Sequence, residues 1–176
     1  QRQMCIRDRA HPFDEGVGSM HCFDGLDMYE PTTYDGLTKD QAVRRYLEDS
    51  VRCLERKPDF DSYGHIDYIS RYMPYPDPNL YYEDHPELWD RVFRLLIAGD
   101  KALEINTRRL GDDSTIPPLM KLYKRFRELG GKYATLGSDA HYKEHVGRDF
   151  AKGKQIADEA GLTLVYYKDR KRMLCE

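Results

Sequence analysis

Four short segments of this 176-residue chain carry side chains suited to holding metal ions and handling phosphoryl groups. GSMH ends in His21, YGHIDYI contains His65, LEINT contains Glu104 and Asn106, and LGSDAH contains Asp139 and His141. They recur at roughly 40-residue intervals, about one strand plus one helix. Asp139 and His141 are two apart, so on an extended segment they project from one face, ~6.6 Å apart along the chain, where they could bind adjacent metals. Imidazole combined with carboxylate suits Zn, Mn or Fe(II), whereas an all-oxygen Mg site would not call for so many histidines. Two such ions ~3.5–4 Å apart stabilise the transition state of phosphoryl transfer. A lone histidine is more often a hydrogen-bonded part of the scaffold, and His11, His85 and His145 are read that way. Asp14, Asp24 and Asp67 are expected to be solvated or to form turns.

The elements that must position these residues alternate between β-type runs and amphipathic helices. Gly16 to Cys22 is the first strand candidate, followed by a loop through Gly36. Thr38 and Gln41 have capping-box spacing at the start of a helix with Val43, Tyr46, Leu47, Val51 and Leu54 on one face. Tyr63 to Ser70 is the second strand, and Pro74, Pro76 and Pro78 then force a long tyrosine-rich loop. Asp84, Pro86 and Glu87 open a helix bearing Leu88, Trp89, Val92, Phe93, Leu96 and Ile97, which Gly99 is placed to stop. Lys101 to Thr107 is the third strand. Pro117 and Pro118 start a helix with Leu119, Leu122, Tyr123, Phe126 and Leu129 on one face, closed by Gly130 and Gly131. Tyr133 to Ser138, a helix around Phe150 to Ala160, and a last strand from Leu162 to Tyr167 complete the series. Strands separated by helices of this length predict an α/β fold with right-handed crossovers and mainly parallel strands, in which catalytic groups gather at the carboxyl ends of the strands.

Composition narrows the class. Lys+Arg 28 against Asp+Glu 31 leaves a net charge of −3 with both signs interleaved, which gives no footprint for nucleic acid or anionic lipid. Mean hydropathy is −0.80, and no apolar run approaches the ~18 residues of a membrane span. Aromatic residues at 12% supply enough buryable surface to argue against disorder. Cys5, Cys22, Cys53 and Cys175 form no CxxC pair, which points to a reducing, cytoplasmic setting.

Taken together, GSMH, GHIDYISRY, LEINTRRLG, and LGSDAH followed by VGRDF resemble the later segments of the polymerase-and-histidinol-phosphatase (PHP) superfamily, most of all its histidinol phosphatase branch. The resemblance runs from about Phe13 to the C-terminus. It implies a distorted (β/α)7 barrel with a three-metal site, which hydrolyses the small phosphomonoester L-histidinol phosphate to histidinol and phosphate in histidine biosynthesis. By this resemblance His21 and His65 match histidines that share one metal. Asp139 and His141 match the late ligands of the other two and stand at the catalytic centre. Arg71, in ISRY, is the candidate phosphate-binding arginine, since a guanidinium fork suits phosphate oxygens. Arg108, Arg109 and Arg148 are further candidates, Asn106 is a candidate substrate contact, and Glu104 is expected to orient the ligands.

The family's opening HxH motif, further early histidines and a bridging Glu have no match in the first 18 residues. The expectation is therefore a truncated chain. Residues 1–9 (QRQMCIRDR) read as a non-native tail resembling a translated sequencing adapter. Residues 10–176 read as the C-terminal portion of one PHP domain, an incomplete barrel that is inactive alone, whose parent holds two or three divalent ions (Zn, Mn or Fe). Two alternatives stay open: another PHP-type phosphoesterase, or a noncatalytic α/β binding module. The sequence does not disclose an oligomeric state.

Overall fold

The computed structural model describes residues 12–175, so the tail, Cys5 and His11 lie outside the described residues. Six strands form one sheet in the order β1 (Val17–Gly18), β4 (Ser62–Tyr63), β5 (Ala102–Asn106), β6 (Tyr133–Gly137), β7 (Thr163–Lys168) and β8 (Lys171–Leu174). Within this sheet the pairings from β1 to β7 are parallel, as the alternating pattern requires, and β8 pairs antiparallel with β7. The helices are α1 (Lys39–Glu55), α2 (Pro86–Ala98), α3 (Ile116–Glu128) and α4 (Phe150–Ala160). No helix among the described residues is long and apolar enough to cross a membrane.

The helices stand where capping chemistry puts them. Thr38 caps α1 in a reciprocal box, with Gln41 N–H donating to its hydroxyl at 3.3 Å and its own N–H donating to the Gln41 side chain at 3.0 Å. Proline occupies the first turn of α2 and of α3, where its missing N–H costs nothing. The inward faces of α1, α2 and α3 converge on one core in which Tyr46, Trp89, Phe93, Tyr123 and Phe126 are almost fully buried. Gly153 lets α4 lie close against the sheet, since a Cβ there would sit 2.8 Å from Leu136 Cδ2.

Three expectations about strands need correction. The run Tyr63 to Ser70 is not one strand: β4 ends at Tyr63, Gly64 and His65 (φ 22) turn the chain away, and Tyr68–Arg71 form a 3-10 turn. Its apolar residues, Ile66 and Ile69, are three apart and buried by that turn rather than by strand pairing. The run Gly16 to Cys22 likewise shortens to β1. Cys22–Phe23 (β2) then pairs antiparallel with Leu26–Asp27 (β3) around Asp24 and Gly25, both at positive φ, a short hairpin built on an Asp-Gly turn. The last strand continues into β8 through Asp169 and Arg170, both left-handed, a turn that carries no glycine to announce it. At the end of α2 the left-handed residue is Asp100 (φ 52), one beyond Gly99.

Candidate metal and phosphate site

The carboxyl ends of β1, β4, β5 and β6 lie side by side, and the segments that leave them bring the chemistry together. His21 follows β1 by three residues and His65 follows β4 by two. Their Nε2 atoms approach to 3.5 Å, and the rings stack with centroids 5.1 Å apart. Tyr68, carried on the 3-10 turn after His65, stacks on His21 at 4.2 Å and lies against His65 at 4.9 Å. Burial pushes the His65 imidazole down to about 4, with the Arg71 and His21 charges acting in the same sense. Burial also lowers His21, against the pull of Asp27. Both rings are therefore neutral at pH 7, the form whose lone pair a cation needs.

Behind them Glu104, on β5, accepts from the His65 backbone N–H and from Asn106 Nδ2 at 3.2 Å. Burial raises the Glu104 carboxyl, and these hydrogen bonds offset part of the rise. Its side chain lies over Gly137 on the neighbouring strand, in the place a Cβ would occupy. Asn106 Oδ1 in turn accepts from Arg71 NH2 at 2.9 Å and from the Arg108 backbone N–H at 3.1 Å.

Arg71 and Arg108 close on one carboxylate. Arg71 NH1 donates to Asp139 Oδ2, and Arg108 NH1 stands 3.3 Å from the same oxygen and 3.2 Å from His141 Nε2. His141 Nε2 is 3.6 Å from Asp139 Oδ1. Burial would raise Asp139, but the two guanidiniums outweigh it and hold its carboxyl below the usual range. Asp139 and His141 do face one centre, though not by strand alternation: β6 stops at Gly137, and Asp139 is left-handed (φ 47). Two of the candidate site residues, His65 and Asp139, thus hold positive φ, a cost of the kind that concentrates at functional sites.

The other expected contacts fare differently. Arg109 is turned away from Asp139: NH1 donates to Asp67 Oδ2 at 3.0 Å and NH2 to Asn79 Oδ1 at 3.0 Å. Asp67 is correspondingly buried at 2% exposure rather than solvated. Arg148 is half exposed, pairs with the adjacent Asp149 at 3.4 Å and lies over Gly111. Asp24 does serve a turn and pairs with Arg45, and Asp14 receives backbone N–H groups from the β7–β8 turn. His85 is a buried scaffold residue 3.3 Å from Asp40, and His145 rests edge-on against Tyr142. Tyr68 had no sequence signal beyond standing three residues after His65, and the Asp67–Arg109–Asn79 contact spans three loops that no local pattern connects.

The donor set fits a cation in part. Two imidazole nitrogens bound to one tetrahedral ion at Zn–N distances of ~2.0–2.1 Å stand about 3.3 Å apart, close to the His21–His65 spacing. His65 Nδ1, on the ring edge away from the Nε2 that faces His21, is buried without a hydrogen-bond partner. Among the described residues no group of three or more His, Cys, Asp or Glu side chains closes around one point, so the pair by itself could supply only part of a coordination shell.

Comparison with known proteins places the whole chain. The PHP domain model matches residues 1–108. A probable histidinol-phosphatase of Clostridium acetobutylicum is 37% identical over 170 residues, 97% of this chain and 66% of that protein. A histidinol-phosphatase of Lactococcus lactis is 33% identical over 151 residues, 85% of this chain and 56% of that protein. The crystal structure of histidinol phosphate phosphatase from Lactococcus lactis, complexed with Zn, L-histidinol and phosphate, superposes with a TM-score of 0.84 at 28% identity, over 98% of this chain and 66% of that one. The chain thus spans at most 66% of the length of the relatives it matches. A parallel sheet whose carboxyl edge gathers His21, His65, Asp139 and His141, with a matching family model over more than half the chain, makes this chain a member of the PHP domain family.

Proposed function

We propose that this site belongs to a metal-dependent phosphomonoester hydrolase that converts L-histidinol phosphate and water to L-histidinol and phosphate, the activity being that of the whole protein. The observation that carries the reading is the pair of neutral imidazoles, His21 and His65, at the same sheet edge where two arginines close on the Asp139 carboxylate. The names of the relatives, and the zinc, histidinol and phosphate bound by the Lactococcus lactis enzyme, support the same reaction. Cys22, Cys53 and Cys175 are all free, in keeping with a cytoplasmic location.

In this reading His21, His65, Asp139 and His141 are ligands to divalent metal. When bound, such ions supply Lewis acidity toward the phosphoryl oxygens. Arg71 and Arg108 grip the nonbridging oxygens of the phosphate as its charge grows toward the transition state, a role their planar forks suit. Asn106 Oδ1 aims the Arg71 fork and anchors the Arg108 backbone. Glu104 acts one step back, holding the His65 backbone so that the ring keeps its place above Tyr68. Arg109, expected from the sequence to contact substrate, is assigned instead to the scaffold, and Arg148 to the surface.

The test is phosphate release from L-histidinol phosphate with added Zn or Mn, measured on the protein extended to the length of its relatives. Turnover that needs metal and is lost in His65→Ala and Asp139→Ala is the expected result. Turnover indifferent to metal, or retained in both variants, refutes the assignment.

A further inference from the structure

The Asp67–Arg109 pair is costly to bury. Its side chains are 3% and 14% exposed, and a buried ion pair gains little net stability over apolar side chains of the same volume, because desolvation offsets the attraction. Its location suggests another use. Asp67 stands at the start of the 3-10 turn Tyr68–Arg71, and its carbonyl accepts from the Ser70 N–H at 3.0 Å, so Arg71 rides on the same tight turn. Arg109 directly follows Arg108, and its carbonyl accepts from the Thr115 hydroxyl at 3.2 Å. Asn79 joins the proline-rich loop to the same guanidinium. Arg71 also reaches from the same turn to Asn106 at the end of β5, but that contact is made by a group that must also serve the ligand.

We propose, on the footing that Arg71 and Arg108 contact the phosphate as assigned above, that Asp67 and Arg109 form a positioning strut. It sets the separation and aim of the two phosphate-facing arginines by locking together the loops that carry them. The pair touches no reacting atom. Its effect passes through Arg71 and Arg108.

Inorganic phosphate is the probe, with its inhibition constant, the KM and kcat for L-histidinol phosphate, bound metal and Tm all measured on the metal-loaded protein extended to the length of its relatives. Replacing the pair together, Asp67→Leu with Arg109→Met, is expected to keep Tm and bound metal near the parent values while phosphate inhibition weakens and KM rises, each at least tenfold. Arg109→Lys, which keeps a charge opposite Asp67 but loses the arm to Asn79, should recover part of that loss. A folded double variant with unchanged phosphate inhibition overturns the strut. If the double variant does not fold, Asp67→Asn decides. It should weaken phosphate inhibition in the parent and add nothing in an Arg71→Ala, Arg108→Ala background, and an equal further loss there overturns the proposal. Should Arg71→Ala and Arg108→Ala themselves leave phosphate inhibition unchanged, the phosphate assignment fails first and the strut with it. A loss in those variants without one at Asp67 refutes the strut alone.

Discussion

Gly137 offers the most direct check on how the site is built, because its backbone is not left-handed and space alone requires glycine there. An ideal Cβ at this position falls 2.7 Å from Glu104 Cδ and closer still to its Oε1. The Glu104 side chain can swing aside, but only by releasing the His65 N–H and Asn106 Nδ2. Hydrogen bonds to a charged group contribute ~1.5–3 kcal/mol each, so losing both costs about 3–6 kcal/mol. Removing a glycine from a strand returns about 0.5–1 kcal/mol. Gly137→Ala should therefore lower stability by about 2–5.5 kcal/mol, read as a fall in the urea midpoint at constant slope. In a Glu104→Ala background the obstacle is gone, and the same substitution should be neutral or slightly stabilising. Equal effects of Gly137→Ala in the two backgrounds, or a parent variant as stable as the original, would refute the reasoning.

Three further outcomes follow from the same geometry. Arg71→Ala and Arg108→Ala should each raise the KM for L-histidinol phosphate by about ten- to a hundredfold, as expected for a lost charge-assisted contact of ~1.5–3 kcal/mol, whereas Arg148→Ala should leave it within twofold, all measured by phosphate release. His65→Ala should lower the zinc bound per chain after dialysis and metal analysis, with far-ultraviolet dichroism unchanged. At the surface between α2 and α3, hydrogen bonds from Arg125 hold the Asp90 carboxyl below its usual value of 3.8. That contribution is present above the ordinary carboxylate value and disappears as pH falls through the lowered one. Asp90→Asn should therefore flatten the acid limb of the stability curve, and a limb of unchanged steepness would contradict it.

Much of the fold is written locally. The Thr38–Gln41 box, the prolines opening α2 and α3, and the apolar faces of the helices act within a turn or two, so helix positions are legible from residue types alone. His21, His65, Asp139 and His141 are legible too, because a βα repeat sends each to the same sheet edge whatever the packing details. What the sequence hides is how long each strand persists and which partner each arginine finds. β4 stops after two residues because Gly64 and His65 turn the chain out, although the apolar pattern runs on. Arg108 and Arg109 are adjacent and chemically identical. The backbone aims one guanidinium at Asp139 and the other at Asp67, residues far apart along the chain. Side-chain type and spacing are local properties and determine which groups are available for chemistry. Pairing between distant loops depends on where the packed core brings them, and only the tertiary structure decides which arginine faces Asp139 and which faces Asp67.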